Sequence, residues 1–154
     1  MEISDLITPK GVIPQLRTPS KKQALLELAK RAAAISGAEE RVIYDLLMER
    51  ERLGTTGIGM GIAIPHARLR NLTRLYGVFA RLEKPIDFEA IDDEPVDLIF
   101  LLLAPEGAGA DHLKALALVS RLLRDRAMCE KLRGTDRPEA LYALLTDRTA
   151  THAA

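Results

Sequence analysis

Apolar residues recur at helical spacing through the first third of the chain. Ser20 and Gln23 form an S-x-x-Q pair that predicts a capping box, and behind it Ala24, Leu25, Leu28, Ala29, Ala32 and Ala33 fall on one stripe. Gly37 is placed to end this helix as a left-handed cap. A second helix is predicted from about Ala38 to Arg52, with Val42, Ile43, Leu46 and Leu47 facing inward and Gly54 closing it. The helical period then breaks. Gly57, Gly59 and Gly61 follow one another at alternate positions, and Ile62 and Ile64 alternate around Ala63 as in a short strand. Pro65 cannot donate to a ladder, so His66 is expected at the exposed end of that strand.

Two further strands are predicted, at Leu75 to Leu82 and at Val96 to Leu103. The second is apolar on both faces from Leu98 onward, the pattern of a central strand covered by helices on both sides. After a loop with Pro105, Gly107 and Gly109, a helix is predicted from Ala110 or Asp111 to about Arg126. Shorter helices are expected at Ala127–Leu132 and Pro138–Leu145, the last with Pro138 in its first turn and Asp136 as its cap. The order of elements gives an α/β fold: a single domain over residues 1–147 with a mixed β-sheet flanked by helices on both faces. Residues 148–154, ending in TATHAA, are expected to form a disordered tail.

Composition narrows the function. Of 154 residues, 22 are Lys or Arg and 22 are Asp or Glu, which leaves no basic footprint for nucleic acid and no polybasic membrane anchor. The longest apolar run, Leu98 to Ala104, is far short of the roughly 20 residues of a membrane span. The start, MEISDLITPKG, lacks the basic and apolar regions of a signal peptide. Cys129 is the only cysteine, so no internal disulfide can form, and a small buried thiol is its expected role. A cytoplasmic location is expected. Any docking surface must come from local charge, such as Arg68, Arg70 and Arg74 after His66.

Three histidines are present: His66, His112 and His152, the last in the expected tail. His66 follows glycine-rich backbone that can approach a ligand closely. A neutral imidazole is abundant near neutral pH and nucleophilic, provided its other nitrogen is held by an acceptor, so it suits phosphoryl acceptance. Phosphoryl transfer depends on positioning and charge stabilisation. Arg50 and Arg52 end the preceding helix and could fold back over the site with a fork that matches phosphate oxygens. His112 stands where a helix N-terminus offers unpaired N–H groups to an anion. On spacing alone, these residues also fit a turn histidine, a capping histidine and a solvated helix end.

The stretch Glu49 to His66, ERERLGTTGIGMGIAIPH, resembles the signature of type-2 IIA domains of the phosphotransferase system, and Gly109-Ala110-Asp111-His112-Leu113 resembles the family's second signature. The likeness runs from about Ile3 to Leu145. It implies that His66 accepts a phosphoryl group from an HPr-like carrier, that His112 is a second active-site histidine, and that Arg50 contacts the phosphoryl group. Arg52, Gly59, Gly61 and Arg68 are expected to line the binding site. No cofactor or metal is implied. Two positions depart from the pattern: Met60 stands where nitrogen-regulatory members commonly have Asn, and Ala67 where Gly is frequent. Met60 is expected to enlarge an apolar rim at the site, and Ala67 implies that its backbone needs no positive φ.

The TTGIG wording resembles the nitrogen-regulatory members, and no carrier, sugar-binding or membrane domain accompanies the motif. The expected function is therefore regulation of partner proteins by phosphorylation state. A IIA component serving a sugar-specific IIB, and a binding module that is never phosphorylated, are the alternatives. A nucleotide site is disfavoured, because the spacing is G-x-G-x-G, a helix precedes it, and there is no G-K-[ST].

Overall fold

A computed structural model describes residues 1–147; the expected tail, with His152, lies outside them. Two 3-10 turns, Ile3–Asp5 and Pro9–Gly11, lead into β1 (Val12–Leu16). The helices α1 (Lys21–Ser36) and α2 (Glu40–Arg52) follow, then the short strands β2 (Gly57–Gly59), β3 (Ile62–Ala63) and β4 (His66–Leu69). The strands β5 (Tyr76–Ile86) and β6 (Val96–Pro105) precede α3 (Ala110–Arg124), α4 (Arg126–Arg133) and α5 (Pro138–Thr146).

The sheet order is β1-β5-β6-β3-β2, with β4 also paired to β6. β5 and β6 are antiparallel, while β1 runs parallel to β5, and β3 and β4 run parallel to β6. β6 is central and alternates between two cores. Ile99, Leu101 and Leu103 pack with Leu25, Leu28, Ile43 and Leu47 of α1 and α2. Leu98, Phe100 and Leu102 pack with Val119, Leu122, Met128, Leu132 and Leu141 on the other face. The expected mixed sheet between two helical layers is the observed one.

Ser20 Oγ accepts from the Gln23 N–H at 3.2 Å, and Gly37, at φ +79°, caps α1. Asp125, the single residue between α3 and α4, caps α4 by accepting from the Met128 N–H. Asp136 does not cap α5; Arg137 holds that position, and the Asp136 carboxylate accepts from Gln15 Nε2 at 2.9 Å instead. Cys129 is buried, its Sγ 3.1 Å from the Leu123 carbonyl, and burial pushes its thiol pKa up.

The fold departs from the sequence expectation at His66. This residue opens β4 rather than ending a strand: β3 pairs Ile62 and Ala63 with Leu98 and Ile99, and after a break at Ile64–Pro65 the chain rejoins β6 with His66 opposite Leu102. Across the break the Pro65 carbonyl still accepts from the Leu102 N–H. The reason is alternation. In His66-Ala67-Arg68-Leu69 the apolar Ala67 and Leu69 join the α1/α2 core, which turns His66 and Arg68 to the other face.

Candidate active site

β4 has β6 on one side only, so His66 sits at a sheet edge with α2 on one face and α3 on the other. Both helices contribute to its surroundings. Arg50, in the last turn of α2, reaches around the edge and points its Nε at His66 Nε2, 3.3 Å away. One of its terminal nitrogens donates to the Gly54 carbonyl at 2.8 Å, which fixes the direction of the fork. From the other face, the His112 ring of α3 stands edge-on to His66 with centroids 5.6 Å apart.

The hydrogen bonds define the tautomer of His66. Its Nδ1 lies 3.0 Å from the Ile64 carbonyl, an acceptor only, so Nδ1 carries the proton. Nε2 is left with the lone pair, and Arg50 Nε, which is always a donor, faces it. Sequence reasoning did not identify the group that holds Nδ1. The carbonyl comes from the Ile64–Pro65 break, where the chain leaves the ladder.

Both imidazoles are kept neutral. Burial holds the His66 pKa below the usual histidine range, and the nearby Arg50 and Arg68 charges add to this against the opposing hydrogen bond to Ile64. His112 is lowered by burial first, then by His66 and Arg68. His112 is only 4% exposed. Arg68, two residues beyond His66 on the same face of β4, donates from Nε to His112 Nδ1 at 3.0 Å.

A clasp not anticipated from the sequence supports Arg50. The Glu51 side chain is folded inward, with Oε1 accepting from the Thr56 N–H at 3.0 Å and Oε2 from the Thr56 hydroxyl at 2.5 Å. Lys21 of α1 pairs with the same carboxylate at 2.9 Å and lies over the Phe88 ring, 4.7 Å from its centroid. This closes the turn from α2 to β2 that carries the Gly54 carbonyl. Glu51 reads in sequence as one more charge in E-R-E-R, and only the packing reveals that it is buried.

Arg50, His66, Arg68 and His112 thus come together. Arg52, Gly59 and Gly61 do not. Arg52 follows Arg50 by two residues, about 200° around the helix, and its exposed side chain makes no hydrogen bond or ion pair among the described residues. Gly61 pairs with the start of β6, its carbonyl accepting from Asp97 and Leu98, whereas the backbone beside His66 meets Leu102. The four-residue step along β6 from Leu98 to Leu102 amounts to roughly 13 Å. A Cβ on Gly61, at φ +80°, would lie 2.6 Å from an Arg133 terminal nitrogen, and one on Gly59 would lie 3.1 Å from the Asp92 carboxylate. These glycines make room for the Arg133–Asp97 ion pair and the Asp92 contact that close the β2–β3 turn. Met60 occupies that turn at φ +58° with its side chain about half exposed, its backbone held by Asp92 and Arg133. Ala67, by contrast, is absent from the positive-φ residues, as its identity implied.

The fold and this edge define a class: an α/β domain presenting a neutral, single-tautomer imidazole with one free lone pair, flanked by a guanidinium and a second imidazole. Comparison with known proteins makes the class specific. The family described as phosphoenolpyruvate-dependent sugar phosphotransferase system, EIIA 2, matches residues 5–148. The nitrogen regulatory protein of Bradyrhizobium diazoefficiens is 54% identical over 153 residues, covering 99% of this chain and all of that protein. The fructose-specific EIIA component of Haloferax volcanii is 34% identical over 151 residues, covering 96% and 98%. The crystal structure of the nitrogen regulatory protein IIA from Neisseria meningitidis superposes with a TM-score of 0.88 at 32% identity, over 94% of this chain and 99% of that one. The chain belongs to the type-2 EIIA family of the phosphotransferase system, and its resemblance there is to the nitrogen regulatory proteins.

Proposed function

We propose that this protein is a phosphocarrier that accepts a phosphoryl group on Nε2 of His66 from an HPr-like donor and regulates partner proteins by its phosphorylation state. The observation that carries the proposal is the His66 ring itself, with Nδ1–H committed to the Ile64 carbonyl and the Nε2 lone pair facing the Arg50 guanidinium.

The step follows from that arrangement. The Nε2 lone pair attacks phosphorus, and the donor's P–N bond breaks with its electron pair returning to the donor imidazole. The donor reacts with a proton on its other ring nitrogen, so it leaves neutral. His66 then holds PO3 on Nε2 and a proton on Nδ1, and the resulting positive ring is supported by the Ile64 carbonyl. Arg50 swings from the lone pair to the phosphoryl oxygens, where its fork matches their geometry. Leu53 (83% exposed), near Arg50 in the chain, and Leu113 (65% exposed), next to His112, offer a docking protein exposed apolar contacts.

Phosphorylation adds about −1.5 to −2 charge at this edge. It also removes Arg50 from its resting position, so the two states present different surfaces to a partner. Similarity over the full length to a nitrogen regulatory protein supports regulation as the outcome. Delivery to a sugar-specific IIB is the second reading, supported by the similarity to a fructose-specific EIIA component. A cytoplasmic location fits both readings, and no helix among the described residues is long and apolar enough to cross a membrane.

Incubation with phosphoenolpyruvate, the first enzyme of the system and an HPr-like protein tests the proposal. The expected result is a mass gain of one phosphate, labile in acid and absent from His66→Ala, with slower gain in Arg50→Ala and His112→Ala. No gain in a folded sample, or equal gain in His66→Ala, overturns it. Baits in the two phosphorylation states, compared by pull-down, then separate a regulatory partner from a IIB domain.

A further inference from the structure

We propose that Arg68 is a positioning residue that fixes the tautomer of His112, holding its Nε2–H ready to donate to a phosphoryl oxygen on His66. The inference rests on the phosphocarrier reading above and adds a role for Arg68 that the family resemblance did not supply.

Arg68 Nε always carries a proton, so at 3.0 Å from His112 Nδ1 it makes that nitrogen the acceptor. A neutral imidazole has one proton, which must then sit on Nε2. Burial and the neighbouring cationic and imidazole groups keep this ring neutral. Nε2 is the one buried side-chain polar atom among the described residues with no hydrogen-bond partner. Native proteins rarely leave such a donor unpaired, and those that do generally use it. The ring that carries it is already beside His66, the nucleophile. An N–H is useful to an incoming phosphoryl group, whereas a lone pair at the same atom repels it.

His112 cannot make this choice alone, because Asp111 and Leu113 offer its ring nothing on the Nδ1 side among the described residues, and the proton could move to Nδ1 if an acceptor stood there. Arg68 excludes that outcome. It reaches His112 because β4 carries it on the same face as His66, two residues further along the strand.

The test replaces the donor by an acceptor. Nitrogen-15 NMR of the imidazoles in the unphosphorylated parent is expected to show His112 Nδ1 as an unprotonated acceptor and Nε2 as an N–H. Arg68→Lys, which still donates, keeps that pattern. Arg68→Glu, whose carboxylate accepts, moves the proton to Nδ1. Phosphoryl transfer to His66 should fall about tenfold or more in Arg68→Glu. The same substitution in a His112→Ala background should cost far less, because only its charge then acts. Parental His112 protonated on Nδ1, or equal slowing by Arg68→Glu with and without His112, overturns the proposal. The NMR readings are made on unphosphorylated protein, so they judge Arg68 even if the parent proves unable to accept phosphate, a result that would refute the proposed function instead.

Discussion

Glu51→Gln removes the charge at the centre of the clasp behind Arg50, and its cost can be worked from the geometry. The Glu51 side chain is 4% exposed and its partner Lys21 13%. Deleting one member of a buried pair costs about 3–5 kcal/mol, because the other charge is left stranded. Two contacts soften the loss. Lys21 keeps the Phe88 ring, 4.7 Å away and worth about 1 kcal/mol, and the Gln carbonyl can still accept from Thr56. The net expectation is a loss of about 2–4 kcal/mol. For a domain of this length that corresponds to a fall in Tm of roughly 6–12 °C at the middle of the range. Urea denaturation measures it, with the midpoint lowered and the slope unchanged. Adding Lys21→Met to Glu51→Gln removes the stranded charge and should recover most of the stability. A loss under about 1 kcal/mol in the single variant, or no recovery in the double one, refutes the view that the clasp is a buried, mutually dependent pair.

Leu101→Ala, at a fully buried position of the central strand, should cost about 2–5 kcal/mol through the cavity it leaves, read as a lower urea midpoint. Met60→Asn should raise stability by about 1 kcal/mol, because Asn tolerates the left-handed backbone at φ +58° that Met does not, and a thermal melt would show it. Burial lowers the folded-state pKa of both His66 and His112, so the unfolded chain takes up their protons first as pH falls. Stability from these two groups is therefore complete above the unfolded pKa of about 6.5 and is lost as pH drops below it toward the folded values. Urea midpoints measured down the pH scale should fall in that window, and more shallowly in His66→Ala; a midpoint that rises on acidification contradicts the assignment.

Most helices and the central strand were legible because their signals are local or periodic. Ser20 and Gly37 bound α1 by their own chemistry, and the run from Leu98 onward announced a strand buried on both faces. β1 was missed because Pro14 interrupts its five residues; it lies at the end of the sheet, where a strand can lack one donor. β4 was missed because Pro65 was read as an end, although the polar–apolar alternation from His66 to Leu69 was visible. At the candidate site, His66, His112 and Arg50 were singled out from their residue types and the family resemblance, and the fold brings the three side chains together. What the sequence concealed depends on tertiary contact: the Ile64 carbonyl that sets the His66 tautomer, the inward turn of Glu51, and the meeting of Arg68 with His112 across 44 residues. The glycines misled for a related reason, since flexible backbone near a histidine in sequence serves here to seat Asp92 and the Arg133–Asp97 pair.

The central claim is that His66 takes the phosphoryl group on the nitrogen its backbone contact leaves free. Phosphorus–nitrogen coupling in the phosphorylated, nitrogen-15 histidine-labelled protein measures this directly. The account predicts coupling to Nε2 of His66, with Nδ1 still protonated and bound to the Ile64 carbonyl. Coupling to Nδ1, or a phosphoryl group on any other residue, contradicts it.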